Sequence, residues 1–209
     1  MHFTKMHGLG NDYLYVYGEV PANIEDLSIK LSERHFGAGS DGMIYISPSE
    51  ISDFKMRIFN ADGSEAKMCG NGIRCVGKYV YDKGYTDKKH LRIETLSGIK
   101  TLDLNVSNGK VKTVSVGMGK AEVSENLQLD VDGEKVTCTP VSVGNPHAVS
   151  FVADIEKAPL LTLGPKMEHH RAFPDGVNVE FVEVIDRHTL RMRVWERGTG
   201  ETLACGTGC

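Results

Sequence analysis

The chain has 209 residues, with 24 basic and 28 acidic side chains and a formal net charge of −4. This weakly acidic balance gives no electrostatic reason to expect a nucleic acid or a membrane as a partner. Hydrophobic residues at 40% and charged residues at 25% are typical of a globular protein and argue against disorder. No apolar stretch approaches the roughly 20 residues of a membrane-spanning helix, and the N-terminus lacks the apolar core of a signal peptide. Five cysteines, an odd number, argue against a fully disulfide-paired secreted protein and favour the cytoplasm.

Two segments have the apolar periodicity of helices. Residues 23–36 follow this pattern after Asn23, a candidate N-cap. Residues 69–83 follow it too and end before Gly84, a typical helix stop. Most of the remaining chain has the composition of strands, which we predict at 43–47, 54–59, 99–106, 110–116, 178–184 and 189–195. Many strands with few helices favour an α+β fold.

An internal repeat is the most informative feature of the sequence. Residues 56–72 and 192–208 align without a gap at a spacing of 136 residues (192 − 56). Each copy contains a strand, a turn and the motif Glu-x-x-x-Cys-Gly-x-Gly, with the cysteines at Cys69 and Cys205. Two copies of one supersecondary unit predict two similar domains that face each other, 1–116 carrying Cys69 and 117–209 carrying Cys205.

The two copies differ in the length of chain after the motif. After Cys69 the predicted helix continues to residue 83, whereas only four residues come after Cys205, too few for a helix. If each domain is built around such a helix, the second central helix is missing from this chain. We therefore expect the second domain, 117–209, to be incomplete.

The Cys-Gly-x-Gly motif at the start of a helix indicates acid–base chemistry at a thiol. Glycines let backbone N–H groups crowd together at a helix N-terminus, where they bind an anion or stabilise a thiolate. Two such thiols on opposite sides of a substrate can remove a proton from one face of a carbon and return one to the other. We therefore interpret Cys69 and Cys205 as catalytic. We interpret Cys75, Cys138 and Cys209 as structural, because a single cysteine is more often a small buried hydrophobic residue.

Polar residues at turns and strand ends are candidates for substrate contacts, although turn formation explains any single asparagine. The repeat aligns Asn60 with Glu196 at the ends of corresponding strands, so both are expected at one site. Arg197 is either a partner for a second substrate carboxylate or a surface arginine. We expect no zinc or other metal site, because no Cys-x-x-Cys occurs and the histidines lack ligand spacing.

Ordered motifs along the whole chain resemble the diaminopimelate epimerase family. In chain order they are Lys5-Met6-His7-Gly8-Leu9-Gly10-Asn11-Asp12, Arg34-His35-Phe36-Gly37, Arg57-Ile58-Phe59-Asn60-Ala61-Asp62-Gly63-Ser64-Glu65, Cys69-Gly70-Asn71-Gly72-Ile73-Arg74-Cys75, Gly144-Asn145-Pro146-His147, Asn178-Val179-Glu180, Glu196-Arg197-Gly198 and Ala204-Cys205-Gly206-Thr207-Gly208.

The resemblance implies an isomerase without cofactor (no pyridoxal phosphate) that converts LL-diaminopimelate to the meso form, for lysine and peptidoglycan precursors. It implies two pseudo-symmetric β-rich domains, each wrapped around a central helix, commonly in a homodimer. It implies that Cys69 and Cys205 are the acid and the base, and that His147 and Glu196 tune the thiol pKa values. It also implies substrate contacts from side chains and backbone amides of Asn11, Asn60, Gly70, Asn71, Asn145, Asn178, Glu196, Arg197, Gly206 and Thr207.

The chain departs from the family pattern in two places. Asp41-Gly42 stands where many members have Asp-Gln, so a side-chain contact to the substrate is lost or replaced. Members also continue for several tens of residues beyond the second Cys-Gly-Thr-Gly.

Three other functions stay open. One is a related cofactor-independent racemase acting on histidine or proline, although Arg197 and the asparagines favour a substrate with a second amino-carboxylate end, which proline lacks. Another is a thiol redox protein that uses Cys69 and Cys205 as a disulfide couple. A third is a non-catalytic binding protein on the same fold.

Overall fold

The computed structural model describes residues 1–208; Cys209, which the sequence analysis interprets as structural, lies outside the described residues. The chain divides into two compact units, Met1–Met118 and a second unit that begins at Gly119. Each unit consists of one mainly antiparallel sheet with helices packed against it. The α+β class predicted from the sequence is confirmed. No helix within residues 1–208 is both long and apolar enough to cross a membrane.

The first unit contains an eight-stranded sheet and two helices. Its elements are β1 (Thr4–Gly8), β2 (Asn11–Tyr17), α1 (Ile24–Ser32), β3 (Gly42–Ser47), β4 (Phe54–Asn60), β5 (Glu65–Ala66), α2 (Gly70–Asp82), β6 (His90–Thr95), β7 (Gly98–Ser107) and β8 (Lys110–Gly117). The strand order is β1-β2-β3-β4-β6-β7-β8, with β5 paired to β4. Helix α2 packs on β1 and β2 at one end of this order and on β7 and β8 at the other, so the sheet wraps around it.

The second unit repeats much of this plan within its described residues. Its elements are β9 (Glu122–Val123), β10 (Leu127–Val131), β11 (Glu134–Ser142), β12 (Pro146–Phe151), a short 3₁₀ helix (Ile155–Lys157), α3 (Leu160–Glu168), β13 (Asn178–Asp186), β14 (Thr189–Glu196) and β15 (Gly200–Thr202). The strand order is β10-β11-β12-β13-β14-β15, with β9 paired to β11. As in β2-β3-β4-β5, the run β12-β13-β14-β15 has one parallel pair followed by two antiparallel pairs.

The 136-residue repeat is preserved in the strand pairing. In the first copy Phe59 pairs with Glu65, and in the second Trp195 pairs with Glu201 at the equivalent position. The same ion pair crosses both hairpins. Arg57 Nε lies 2.6 Å from Glu65 Oε1, and in the second copy Arg193 Nε lies 2.9 Å from Glu201 Oε1. The repeat extends further back than the sequence alignment, since β3 and β13 pair with β4 and β14 in the same register.

One of the two predicted helices has nearly the predicted bounds, and the other is shorter than predicted. Helix α2 has nearly the predicted bounds, and it ends where Gly84 takes a φ of +80° and donates its N–H to the Tyr81 carbonyl. Helix α1 ends at Ser32 rather than at the predicted residue 36. The chain turns back there, because Gly37 packs directly on the last carbonyls of α1 and an added Cβ would lie 2.4 Å from the Lys30 oxygen.

Candidate active site

Cys69 is the N-cap of α2 and is half-buried in the first unit. Its Sγ accepts a hydrogen bond from the Gly72 backbone N–H at 3.3 Å and lies 3.2 Å from Asn11 Oδ1. The helix N-terminus stabilises a thiolate, whereas the amide oxygen accepts a proton from a thiol. Both protonation states of this sulfur therefore have a hydrogen-bond partner.

The orientation of the Asn11 amide is fixed by Asp41, a residue that the sequence analysis did not select. Asn11 Nδ2 donates to Asp41 Oδ2 at 2.7 Å, so its oxygen is turned toward the sulfur. The Asp12 backbone N–H donates to the same carboxylate oxygen, and Arg34 binds the other at 2.8 Å. Asp41 is therefore held on both sides, and Asn11 is held by Asp41.

Tyr13 is a second residue near Cys69 that the sequence analysis did not select. It is buried next to Asn11 and Cys69, and burial raises the pKa of its phenol well above the usual value, with the Cys69 charge adding to the effect. It therefore stays a neutral hydroxyl. An aromatic residue in a strand typically belongs to a core, so the sequence carries no signal for this position.

Three predicted substrate-binding residues of the first unit lie at the end of β4 and the start of α2. Asn60 Nδ2 donates to the Ser64 hydroxyl at 3.1 Å within the turn after β4. Gly70 is the first residue of α2, and the buried Asn71 accepts a hydrogen bond from Arg74 at 2.5 Å. Their roles toward a substrate stay predictions.

The structure explains why residue 42 has no side chain. Gly42 pairs with Asn60, and an added Cβ would lie 2.2 Å from the Phe59 carbonyl oxygen and 2.9 Å from the Asn60 Cα. Backbone atoms cannot yield by that much, so a glutamine does not fit on this backbone.

Cys205 is buried in the second unit, in the turn that follows β15. Its Sγ lies 3.4 Å from the Thr207 hydroxyl. Burial, and next the charge of Glu196, raises the pKa of the Cys205 thiol to about 12, although hydrogen bonds from Thr207 and the Gly208 N–H act in the opposite direction. This environment keeps the sulfur protonated, as a proton donor requires.

Glu196 ends β14 beside this thiol. Burial raises the pKa of its carboxyl group, and the neighbouring charge of Glu180 adds to that effect. The Thr202 hydroxyl donates to Glu196 Oε1 at 2.5 Å and acts against it. Glu196 is the counterpart of Asn60 in the repeat, so the second copy has a carboxyl group where the first has an amide.

His147, predicted to tune a thiol, lies against a buried carboxylate that the sequence analysis did not select. His147 Nδ1 is 2.6 Å from Glu180 Oε1, and both side chains are at most 2% exposed. One ligand atom from each of His147, Glu180 and Cys205 lies within 4.8 Å of the others, a grouping that is able to hold a metal ion. These residues are far apart in sequence, so ligand spacing was not able to detect them; that the protein needs no metal stays a prediction.

The remaining predicted residues of the second unit form two groups. Asn145 Nδ2 donates to the Thr207 hydroxyl at 3.0 Å, and its buried Oδ1 has no partner within the described part of the chain. Asn178 instead binds backbone, accepting from the Arg197 N–H at 2.9 Å and donating to the Pro146 carbonyl at 3.0 Å. The exposed Arg197 guanidinium donates to the Asp175 carbonyl, and Gly206 lies in the Cys205 turn.

Comparison with solved structures identifies the fold class. The chain matches a probable proline racemase from Agrobacterium radiobacter K84 with a TM-score of 0.75 and 18% identity, over 99% of this chain and 74% of that one. It matches a Bacillus anthracis phenazine biosynthesis protein of the PhzF family with a TM-score of 0.70 and 18% identity, over 99% and 75%. At this identity the likeness establishes the fold alone.

Comparison of sequences identifies the family. The diaminopimelate epimerase model matches residues 3–124 and 139–209. Diaminopimelate epimerases from Acetivibrio thermocellus and Methanococcus maripaludis strain C5 are 57% and 55% identical to the chain, over all of it and 80% of each relative. The chain belongs to the diaminopimelate epimerase family, which is a family of isomerases. The family predicted from the sequence motifs is confirmed.

Proposed function

We propose that the chain interconverts LL- and meso-diaminopimelate by a two-base reaction that uses Cys69 and Cys205 and no cofactor or metal. The observation that carries this proposal is the repeated strand–turn–cysteine frame, in which one sulfur caps a helix and the other is held protonated by burial and Glu196. A proton removal and a proton return require one group that acts as the base and another that acts as the acid.

The α-proton of an amino acid is only weakly acidic, so the base and the acid act in concert with stabilisation of the substrate carboxylate. In one direction the Cys69 thiolate takes the α-proton and the Cys205 thiol donates a proton to the opposite face of the carbon. In the other direction the roles are exchanged. Each cysteine therefore serves as base and as acid, and neither has to move across the substrate.

We assign the substrate contacts to the polar groups that surround the two cysteines. The amides of Gly70, Asn71, Gly206 and Thr207 bind the reacting carboxylate, because N–H groups at a helix N-terminus or in a tight turn form an anion site. Arg197 binds the carboxylate at the distal end. The remaining contacts are assigned to Asn11, Asn60, Asn145, Asn178 and Glu196.

The product would serve lysine biosynthesis. We place the reaction in the cytoplasm, because thiol acid–base chemistry needs reduced cysteines. A homodimer is expected from the family resemblance, and sedimentation equilibrium measures it directly. A monomer at micromolar concentration that retains full activity would contradict that assignment.

The test of the two-base reaction is α-proton exchange of LL-diaminopimelate in D₂O, followed by NMR together with chromatography of the stereoisomers. Cys69→Ala and Cys205→Ala should each abolish formation of the meso form. Cys75→Ala and Cys138→Ala are matched controls, because both cysteines are buried in the cores of their units. Epimerisation at near wild-type rate by either catalytic variant would contradict the scheme.

Substrate choice separates this function from a racemase acting on histidine or proline. We expect exchange with diaminopimelate and none with L-histidine or L-proline. Arg197→Met should weaken binding of a diaminopimelate analogue by about 1.5–3 kcal/mol, the typical value of a charge-assisted pair. Equal affinities measured by calorimetry would remove Arg197 from the site.

A further inference from the structure

Glu180 is a buried carboxylate that the proposed reaction does not use. It is the third residue of β13, between Val179 and Phe181, and its side chain is 0% exposed. A carboxylate in such a place costs stability unless a partner compensates it. The chain therefore carries at Glu180 a group that burial alone disfavours.

The repeat shows that the fold does not need an acid at this position. Ile44 in β3 is the counterpart of Glu180, because Ile44 pairs with Ile58 where Glu180 pairs with Val194. An added Cβ on Gly72 would lie 2.6 Å from Ile44 Cδ1, and one on the equivalent Gly208 would lie 2.5 Å from Glu180 Oε1. In both copies the second glycine of Cys-Gly-x-Gly packs on this residue. The first copy fills the place with a hydrocarbon and the second with a carboxylate.

The contacts of Glu180 point to His147. Oε1 is 2.6 Å from His147 Nδ1, and the pair is almost completely buried. In the part of the chain that the structure describes, Glu180 Oε2 and His147 Nε2 are buried without a hydrogen-bond partner. The hydrogen bond made by one ring nitrogen decides which nitrogen of a neutral imidazole carries the proton.

We propose that Glu180 is a positioning residue that holds the proton of His147 on Nδ1 and thereby presents Nε2 as a proton acceptor in the unit that contains Cys205. The expected effect of Glu180 on turnover rests on the proposed function. The expected position of the proton on the His147 ring does not. Glu180 contacts no substrate; it acts through His147.

Among the described residues, Cys205 and Glu196 are the titratable groups near the pair. A ring nitrogen of His147 lies within 4.8 Å of the Cys205 sulfur, and the charges of His147 and Glu180 both act on Glu196. Glu196 is thus a second carboxyl group near the ring, and replacing both acids at once would mix their effects on the ring proton. The test therefore changes Glu180 and leaves Glu196 in place.

The first measurement uses the wild-type chain. Long-range ¹H–¹⁵N NMR correlations of histidine-labelled protein distinguish a protonated from an unprotonated ring nitrogen, and a His147→Gln variant assigns the signal. At a pH where the ring is neutral we expect the proton on Nδ1. A proton on Nε2 in the wild type would overturn the proposal without any variant of Glu180.

The second measurement uses Glu180→Gln. The glutamine amide has two orientations. If its oxygen took the place of Oε1, its NH₂ group would take the place of Oε2 and be a buried donor without an acceptor, which costs free energy. Turned over, the NH₂ group donates to His147 Nδ1 and drives the ring proton to Nε2. We expect this reversed pattern, with kcat reduced by at least about tenfold and KM unchanged.

Two further variants complete the test. Glu180→Ile introduces the residue that the first copy uses at the same place, so it should fold, lose the fixed ring state and lose kcat like the glutamine variant. Glu183→Gln is the control, because Glu183 lies on the same strand, is only partly buried and accepts a hydrogen bond from the Ile155 N–H instead. It should leave both the ring signal and kcat unchanged.

An Nδ1-protonated ring in Glu180→Gln, or a kcat equal to that of the control, would overturn the proposal. An inactive wild-type chain would contradict the proposed function, and the ring measurement would then decide this inference alone.

Discussion

Replacing Glu196 by glutamine should make Cys205 more acidic. The Cys205 thiol has a pKa of about 12, raised first by burial and next by the charge of Glu196. A like charge in direct contact typically shifts a pKa by about 1–3 units, and here part of that effect is shared with burial. We therefore expect the pKa of Cys205 to fall by roughly 1–2 units in Glu196→Gln, which leaves burial as the remaining cause.

The change is measured as the alkylation rate of Cys205 between pH 8 and 11, quantified by mass spectrometry of the peptide that contains it. Each unit of lowered pKa gives about ten times more thiolate but a nucleophile about three times weaker, so the rate at pH 9 should rise about 3- to 10-fold in total. Glu201→Gln is the matched control, because Glu201 is exposed and pairs with Arg193 on the adjacent strand. Identical rates in the two variants would show that burial alone holds the thiol protonated.

Three other changes test the packing and the site. Gly77→Ala places a methyl group 2.8 and 2.9 Å from two leucine side chains, and should lower the free energy of unfolding by about 1–3 kcal/mol in urea titrations; an unchanged midpoint contradicts this. Trp195→Phe removes the indole N–H that donates to the buried Glu168 at 2.7 Å, and should lower the free energy of unfolding by about 1–3 kcal/mol in the same assay; an unchanged midpoint would show that this hydrogen bond does not stabilise the fold. Asp41→Ala releases the Asn11 amide and should lower kcat/KM by roughly tenfold, whereas an unaltered value would remove Asp41 from the site.

The sequence predicted the parts of the fold whose pattern is local. The period of α2 and the strict alternation of residues 102–106 in β7 are visible without any tertiary knowledge. Helix α3 was not predicted, because Gly164 and Pro165 interrupt it and a helix with such residues is stabilised by packing instead. Helix α1 was predicted too long, because the turn after Ser32 depends on a glycine packing on the helix end.

The candidate site residues also divide into those that a sequence pattern indicates and those that depend on tertiary contacts. Cys69 and Cys205 were selected because the repeat places two equal motifs in one chain, a pattern that packing does not require, and their catalytic roles stay predictions. Asp41 and Glu180 were missed, since each acts through a neighbour brought close only by the sheet. One signal for Glu180 was present in the sequence: an acid flanked by Val179, Phe181 and Val182 is unusual in a buried strand.

The repeat ends one strand in an amide at Asn60 and the matching strand in a carboxylate at Glu196, and this difference has a kinetic consequence for the proposed reaction. The two stereoisomers meet unequal proton donors, so the enzyme starts each direction from a different protonation state. A catalyst leaves the equilibrium between its substrates untouched, so the bias must cancel in the ratio of the two kcat/KM values once the equilibrium constant is included. It is therefore able to change both kcat/KM values by one common factor, and to change how kcat and KM are divided for each direction. One charge thus alters the rates of the proposed reaction in both directions and leaves the final mixture of stereoisomers unchanged.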